Sequence, residues 1–192
     1  MNKSMTKTIT TLGCAVLLAG FAGSWHSLAA QTADDDKHFI TVADQANLAE
    51  IKLGDLAIEK SRNKDVRAFA KRMVHDHRML IAKLKPFAAK YNVTPPALLS
   101  TDQDAEYSAL SGLHGTEFDK SYIEDAVKDH HGALALFDAE LAATTDSDLK
   151  ATVTAGRAVV AGHSQMADAL AQKMGLSVAT NHTSETTIPA GE

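Results

Sequence analysis

Sulfur, aromatic rings and positive charge are all scarce in this chain. Its 192 residues include one cysteine, Cys14, and that cysteine falls in a leading segment that reads as a removable tag. The remainder has no disulfide, no thiol nucleophile and no thiolate ligand, so its fold must rest on packing alone. Aromatic residues make up 5% of the chain and β-branched residues are also few, while alanine and leucine abound, which disfavours sheets and favours helices. Nineteen lysines and arginines stand against 24 acids, a formal charge of -5, and losing Lys3 and Lys7 with the tag makes it more negative still. Such a surface disfavours nucleic acid and anionic lipid as partners, and no nucleic-acid partner is expected. A glycine-rich phosphate loop and a Gly-x-Ser-x-Gly elbow are both missing.

Residues 1–30 have the form of a signal peptide: Lys3 and Lys7, an apolar run from Ile9 to Phe21, then Ser27-Leu28-Ala29-Ala30 as a small-residue cleavage site. Leu12-Gly13-Cys14 faintly resembles a lipid-attachment box, but Ala15 to Leu18 continue the apolar run beyond it, which argues against lipidation. The run is shorter than the roughly 20 residues needed to span a bilayer, and no later stretch approaches that length. No transmembrane anchor is expected, and export to the periplasm or envelope is.

The rest forms one all-α domain over 38–175, followed by a polar, Ser/Thr-rich tail over 176–192 expected to be disordered. Four long stripes with spacings of three and four predict helices over 38–60, 64–91, 117–143 and 147–174. Asn63 is placed to cap the second, Thr116 with Asp119 has the form of a capping box for the third, and Gly175 closes the fourth. Pro86 is expected to bend the second near Ala82. Short links force antiparallel hairpins at either end, whereas the second and third long helices are separated by a stretch that holds Pro95-Pro96 and a short helix over 102–113. That stretch can cover the ~40 Å length of a 27-residue helix. The result is a four-helix bundle with one long crossover between its second and third long helices, the ferritin-like connectivity.

Three of the stripes repeat a valine followed three residues later by a histidine: Val74 and His77, Val127 and His130, Val160 and His163. Each histidine lies near the middle of its helix, and the first helix carries Glu50 near its own middle. Midpoints keep one height whichever way a helix runs, so Glu50, His77, His130 and His163 are candidates for one buried layer. Neutral imidazoles with a carboxylate suit a single transition-metal ion, zinc, iron or copper, with manganese also compatible. Met73 and Met166, about one turn from two of these histidines, would tilt the choice slightly towards copper(I). The competing reading is a satisfied polar layer that only fixes helix register. His38, His75, His114, His131 and His182 are read as surface residues, Asp76 and Asp129 as outward-facing or as acceptors orienting a neighbour, and Asp119 and Tyr122 as capping and packing residues.

The run Val66-Arg67-Ala68-Phe69-Ala70-Lys71-Arg72-Met73-Val74-His75-Asp76-His77, together with Phe118-Asp119, Tyr122-Ile123, His130, and His163 followed by Ala167, resembles a family of exported bacterial proteins catalogued as domain of unknown function number 4142 and placed among ferritin-like bundles. Glu50 matches the acid of that family's first helix. The resemblance covers roughly residues 39–174 and implies a bundle fold and an envelope location, with no established activity. Ferritin-like di-iron proteins carry Glu-x-x-His on two helices, and here valine stands three residues before each histidine, which removes the bridging carboxylates. The expected function is therefore non-enzymatic, an exported bundle binding one metal ion in metal handling or envelope stress. The alternatives are a structural or interaction module and a metal-dependent oxidoreductase, the latter requiring an open channel to the layer.

Overall fold

The computed structural model describes residues 24–177, with side chains from residue 32 onward. The segment 1–23 and the tail 178–192, where most of the signal-peptide reading and of the disordered-tail reading fall, lie outside the described residues. Five helices make up the fold: α1 Ser24–Lys60, α2 Lys64–Lys90, α3 Thr101–Ser111, α4 Gly115–Ala143 and α5 Ser147–Lys173. Among the described residues there is no strand, and no helix is long and apolar enough to cross a membrane. The first helix starts at Ser24 instead of residue 38, because nothing between them breaks it: the stretch from Ser24 to Lys60 has no proline and its one glycine is Gly54.

Side-chain chemistry sets most of the ends. Asn63 caps α2 by accepting from the Asp65 N–H at 2.9 Å, Ser100 and Gln103 form a reciprocal capping box on α3, and Asp146 accepts from Asp148 and Leu149 at the start of α5. Gly175, at φ +71°, closes α5 in a Schellman motif, with Leu176 N–H on the Ala171 carbonyl and Gly175 N–H on that of Gln172. The Thr116–Asp119 capping box does not form. Gly115, at φ +58°, already starts α4 with His114 at the cap position, which puts Thr116 inside the helix and leaves Asp119 buried with Oδ1 unpaired. Pro86 is accommodated inside α2, one turn from its end, where few backbone bonds remain to be lost.

Contacts between helix ends define the topology. Lys60, at the top of α1, bonds the Ser111 carbonyl at the end of α3 and lies 5.7 Å from the Phe118 ring centre near the start of α4, while Gln45 midway along α1 meets Gln103 of α3. α3 thus climbs along α1 and returns the chain to the top, so α4 descends parallel to α2. Lys173 at the top of α5 pairs with Asp65 of α2 at 2.5 Å, and Asp146 at its foot pairs with Lys90 at 2.6 Å. α1 packs on α2 and α4, and α5 on α4 and α2, which closes a four-helix square with the expected crossover. α1 and α2 come close at Gly54, where a Cβ would stand 2.7 Å from Cγ2 of Val74.

The apolar interior comes in two parts. The upper part is built from Leu53, Phe69, Met73, Phe118, Tyr122 and Ile123 with their neighbours, and the lower part from Phe39, Ile40, Leu80, Phe137, Leu149 and Val153 with theirs. Phe39 and Phe137 meet edge to face at 5.2 Å in the lower part. Between them lies a polar layer.

Candidate metal centre

His77, His130 and His163 project from α2, α4 and α5 into that layer and are 5%, 2% and 1% exposed. Their ring centres are 5.2 to 5.7 Å apart, and one nitrogen of each ring lies within 4.8 Å of those of the other two. The shared height read from the Val-x-x-His pattern therefore brings the three rings together. Val74 and Val160 are buried and Val127 half-buried, one turn from their histidines, so the second carboxylate set of a di-iron centre has no counterpart here.

Each ring is fixed from its outer side by an oxygen. His77 Nδ1 donates to Asn47 Oδ1 at 2.8 Å, His130 Nδ1 to the Ala126 carbonyl at 2.8 Å, and His163 Nε2 to Asp76 Oδ2 at 2.9 Å. A neutral imidazole has one N–H, and these contacts use it. The other nitrogens, His77 Nε2, His130 Nε2 and His163 Nδ1, are buried lone-pair donors with no partner. Burial, with the neighbouring imidazoles, holds His77 well below its ordinary pKa; burial brings His130 down to about 4 and also lowers His163, against the opposing pull of Asp76. The rings are therefore neutral at physiological pH and cannot fill the shortage of protons themselves.

The donor set fits a transition-metal ion. Imidazole nitrogens on one tetrahedral ion at about 2.1 Å stand roughly 3.4 Å apart, so modest side-chain rotations would close the three onto a cation. The outer acceptors are the kind that fix tautomer and ring direction around a metal ligand. Asp76 is the strongest of them. Burial alone would raise its pKa, but hydrogen bonds from His163 and Arg72 outweigh burial and keep it below the usual carboxylate range.

Glu50 is buried in the same layer but does not join the three-nitrogen group. Its Oε1 lies 3.7 Å from His130 Nδ1, the nitrogen already turned to Ala126, and so it flanks the ring from the side. Burial first, then Asp129, Glu106 and Asp125, push its pKa up to about 8, so it holds a proton at neutral pH. Met166 is 39% exposed and Met73 packs in the upper core, so the pair offers no common thioether face. His38, His75 and His114 are exposed and His131 is half-buried against Asp168 at 3.1 Å, while His182 lies outside the described residues.

Two functional neighbours differ from their sequence reading. Asp76, read first as outward-facing, is buried because its flank of α2 faces α5, and it takes the alternative role of acceptor. Asn47 was not singled out, although it precedes Glu50 by three residues and shares its face of α1, the signal that marks it. Asp129 is half-buried beside a cavity of about 500 Å³ that also reaches Asn47, Glu50, His77 and His130.

Two crystal structures share this fold. A DUF305 fragment from Deinococcus radiodurans matches with TM-score 0.64 at 16% identity, over 72% of this chain and 96% of that one. The "putative secreted protein DUF305" from Streptomyces coelicolor matches with TM-score 0.65 at 12% identity, over 77% of this chain and 97% of that one. Both are similar in fold alone. No curated protein matches the sequence. The family model described as Domain of unknown function (DUF4142) matches residues 24–170, most of the chain including all three histidines, and the chain belongs to that family.

Proposed function

We propose that the protein is an exported, periplasmic helical bundle that binds one transition-metal ion on His77, His130 and His163, in metal handling or envelope stress and not as a catalyst. One observation carries this reading: three buried imidazole nitrogens face one another without a proton or partner among them, while each opposite nitrogen is held by an oxygen. A single cation resolves that arrangement, and three neutral nitrogens suit zinc, copper or iron. Glu50, protonated beside His130, flanks the ion as an acid and is not needed as its ligand. Export is supported by the signal-like residues 1–30 and by the description of the Streptomyces relative in fold as a secreted protein. Metal analysis of protein purified without an affinity tag tests the site against a His77, His130 and His163 triple alanine variant. Substoichiometric or equal metal in the two proteins ends the proposal.

A second reading has its own support, since two of the outer hydrogen bonds run between helices: Asn47 to His77 joins α1 to α2, and Asp76 to His163 joins α2 to α5. On that reading the layer fixes register only, and His77→Leu leaves metal-free stability equal or raised. A loss of several kcal/mol in the unfolding free energy, measured by denaturant titration, would remove it.

A further inference from the structure

The three free nitrogens are buried, yet His77 and His130 also form the inner wall of the cavity of about 500 Å³ between α1, α3 and α4. Its far side is lined by Lys128, which is exposed, so the cavity opens to solvent. Half-buried Glu106 from α3 and Asp129 from α4 line it with exposed Lys128, the one lysine or arginine of the lining, while buried Glu50 from α1 lines its inner part. Glu106 Oε1 is buried with no partner, and His130 Nε2, on a ring 2% exposed, is the unpartnered group at the inner end.

We propose that this cavity is the route by which a divalent transition-metal cation reaches the histidines, drawn in by Glu106 and Asp129 and opposed by Lys128. The proposal rests on the metal-binding reading above and adds how the ion arrives and in what form. A mouth with more acids than bases concentrates free aquo-cations and repels anionic metal complexes, so uptake from citrate-bound metal is slow and uptake of the free ion fast. The apolar remainder of the lining, Val42, Ala46 and Leu136 among it, offers the cation no competing ligand before the histidines.

The test is stopped-flow uptake of Zn²⁺ by the metal-free full chain, read against a chromophoric chelator, with thermal unfolding confirming that each variant is folded. Because Asp129 adjoins His130, the variants are placed at Glu106 and Lys128, outside the binding set. At ~10 mM ionic strength Glu106→Gln slows association about threefold, Glu106→Lys about tenfold, and Lys128→Gln speeds it about threefold, and these differences shrink at ~0.5 M salt. That graded order, with opposite signs at two positions, is not produced by a general loss of stability. If Glu106→Lys does not fold, Glu106→Gln and Lys128→Gln still carry the comparison. Equal association rates in every variant, with the wild type taking up Zn²⁺, overturn the route and leave the histidine site standing. No uptake of Zn²⁺ by the wild type overturns both.

Discussion

Among the described residues, one polar cluster at mid-height and another at the foot of the bundle meet their hydrogen-bonding needs in different ways. At the foot, Asp36 of α1, Glu140 of α4 and Asp146 at the start of α5 converge on Tyr91, which follows α2. The Tyr91 hydroxyl lies 2.7 Å from Asp36 Oδ2 and 2.8 Å from Asp146 Oδ2, and Lys90 adds a donor to Asp146 at 2.6 Å. Asp36 Oδ1 and Glu140 Oε1 would be left as bare acceptors if both acids were ionised, but burial and then Asp36 raise Glu140 to about 7, so it keeps a proton to share. The Lys90 hydrogen bond, foremost among several, holds Asp146 at about 2 as the ionised member. The foot therefore draws its donors from its own phenol and ammonium, and Asp36 Oδ1 and Glu140 Oε1 are the acceptors left over beside the Glu140 proton. At mid-height every ring N–H points outward, burial keeps the rings from taking another proton, and protonated Glu50 flanks His130 at Nδ1 and not at the free nitrogens. The foot, with Tyr91 and Asp146 half-buried and Lys90 exposed, has donors facing its carboxylates and reads as a helix clasp, whereas the fully buried mid-height rings turn unprotonated nitrogens towards one another, the feature on which the proposed metal site rests.

Metal addition gives the largest contrast between the two. Zinc at about 100 times its Kd stabilises a protein that binds it only when folded by about 2.7 kcal/mol. The wild type and Asp36→Asn, altered only at the foot, should both show that gain as a rise in Tm, whereas the triple histidine-to-alanine variant shows none. A gain that survives in the triple variant would move the metal elsewhere.

Removing an outer acceptor comes next. Asp76→Asn replaces the carboxylate that accepts from His163, and such changes around a metal ligand weaken binding roughly 10- to 100-fold. Isothermal titration with Zn²⁺ measures it. An unchanged affinity would make Asp76 a partner of Arg72 and no more.

Glu50 sharpens the comparison through pH. Its folded pKa of about 8 lies above its ordinary 4.5, so its contribution to stability is complete below about pH 4.5 and is lost as pH rises through about 8. The histidines run the other way: held below 6.5, with His130 at about 4, they contribute fully above 6.5 and lose that contribution as pH falls. Above pH 6.5 they no longer change, and Glu140 at the foot finishes near 7. Metal-free wild type should therefore lose about 2 kcal/mol between pH 6.5 and 8, most of it absent in Glu50→Gln. Parallel pH profiles of the two proteins in denaturant unfolding would mean that Glu50 is ionised in the folded state.

How far each cluster could be read from the sequence follows from where it sits. His77, His130 and His163 were legible because each lies on the apolar stripe of a long helix, the second begun by Asn63 and the last closed by Gly175, and midpoints align without knowledge of tilt even where the Thr116–Asp119 start of the third did not hold. Glu50 was placed in the right layer but not in the right relation, since a stripe gives height and face but not which edge of a neighbouring ring a carboxyl meets. Asp76 stands about 100° round α2 from His77, and only the square of helices reveals that this flank faces α5. The start of α1 was missed because a stripe fades where partners end while the helix itself runs on without a breaker. The foot was not legible at all: Asp36, Tyr91, Glu140 and Asp146 lie at helix ends, where periodicity is weakest and contact depends on relative heights that loops alone do not set.

The smallest expected effect falls at that foot. Tyr91→Phe removes one hydroxyl between Asp36 and Asp146 but leaves Lys90 on Asp146, so it should cost about 1 kcal/mol of stability in denaturant unfolding. Fourteen positions along α2 and its cap separate Tyr91 from His77, roughly 21 Å at 1.5 Å per residue, and no side chain is shared between the two clusters. Independent sites at that separation have additive effects, so the zinc affinity of Tyr91→Phe should equal that of the wild type. A weakened affinity would mean that the foot sets the height at which α2 presents His77, and the clasp would then be part of the metal site it supports.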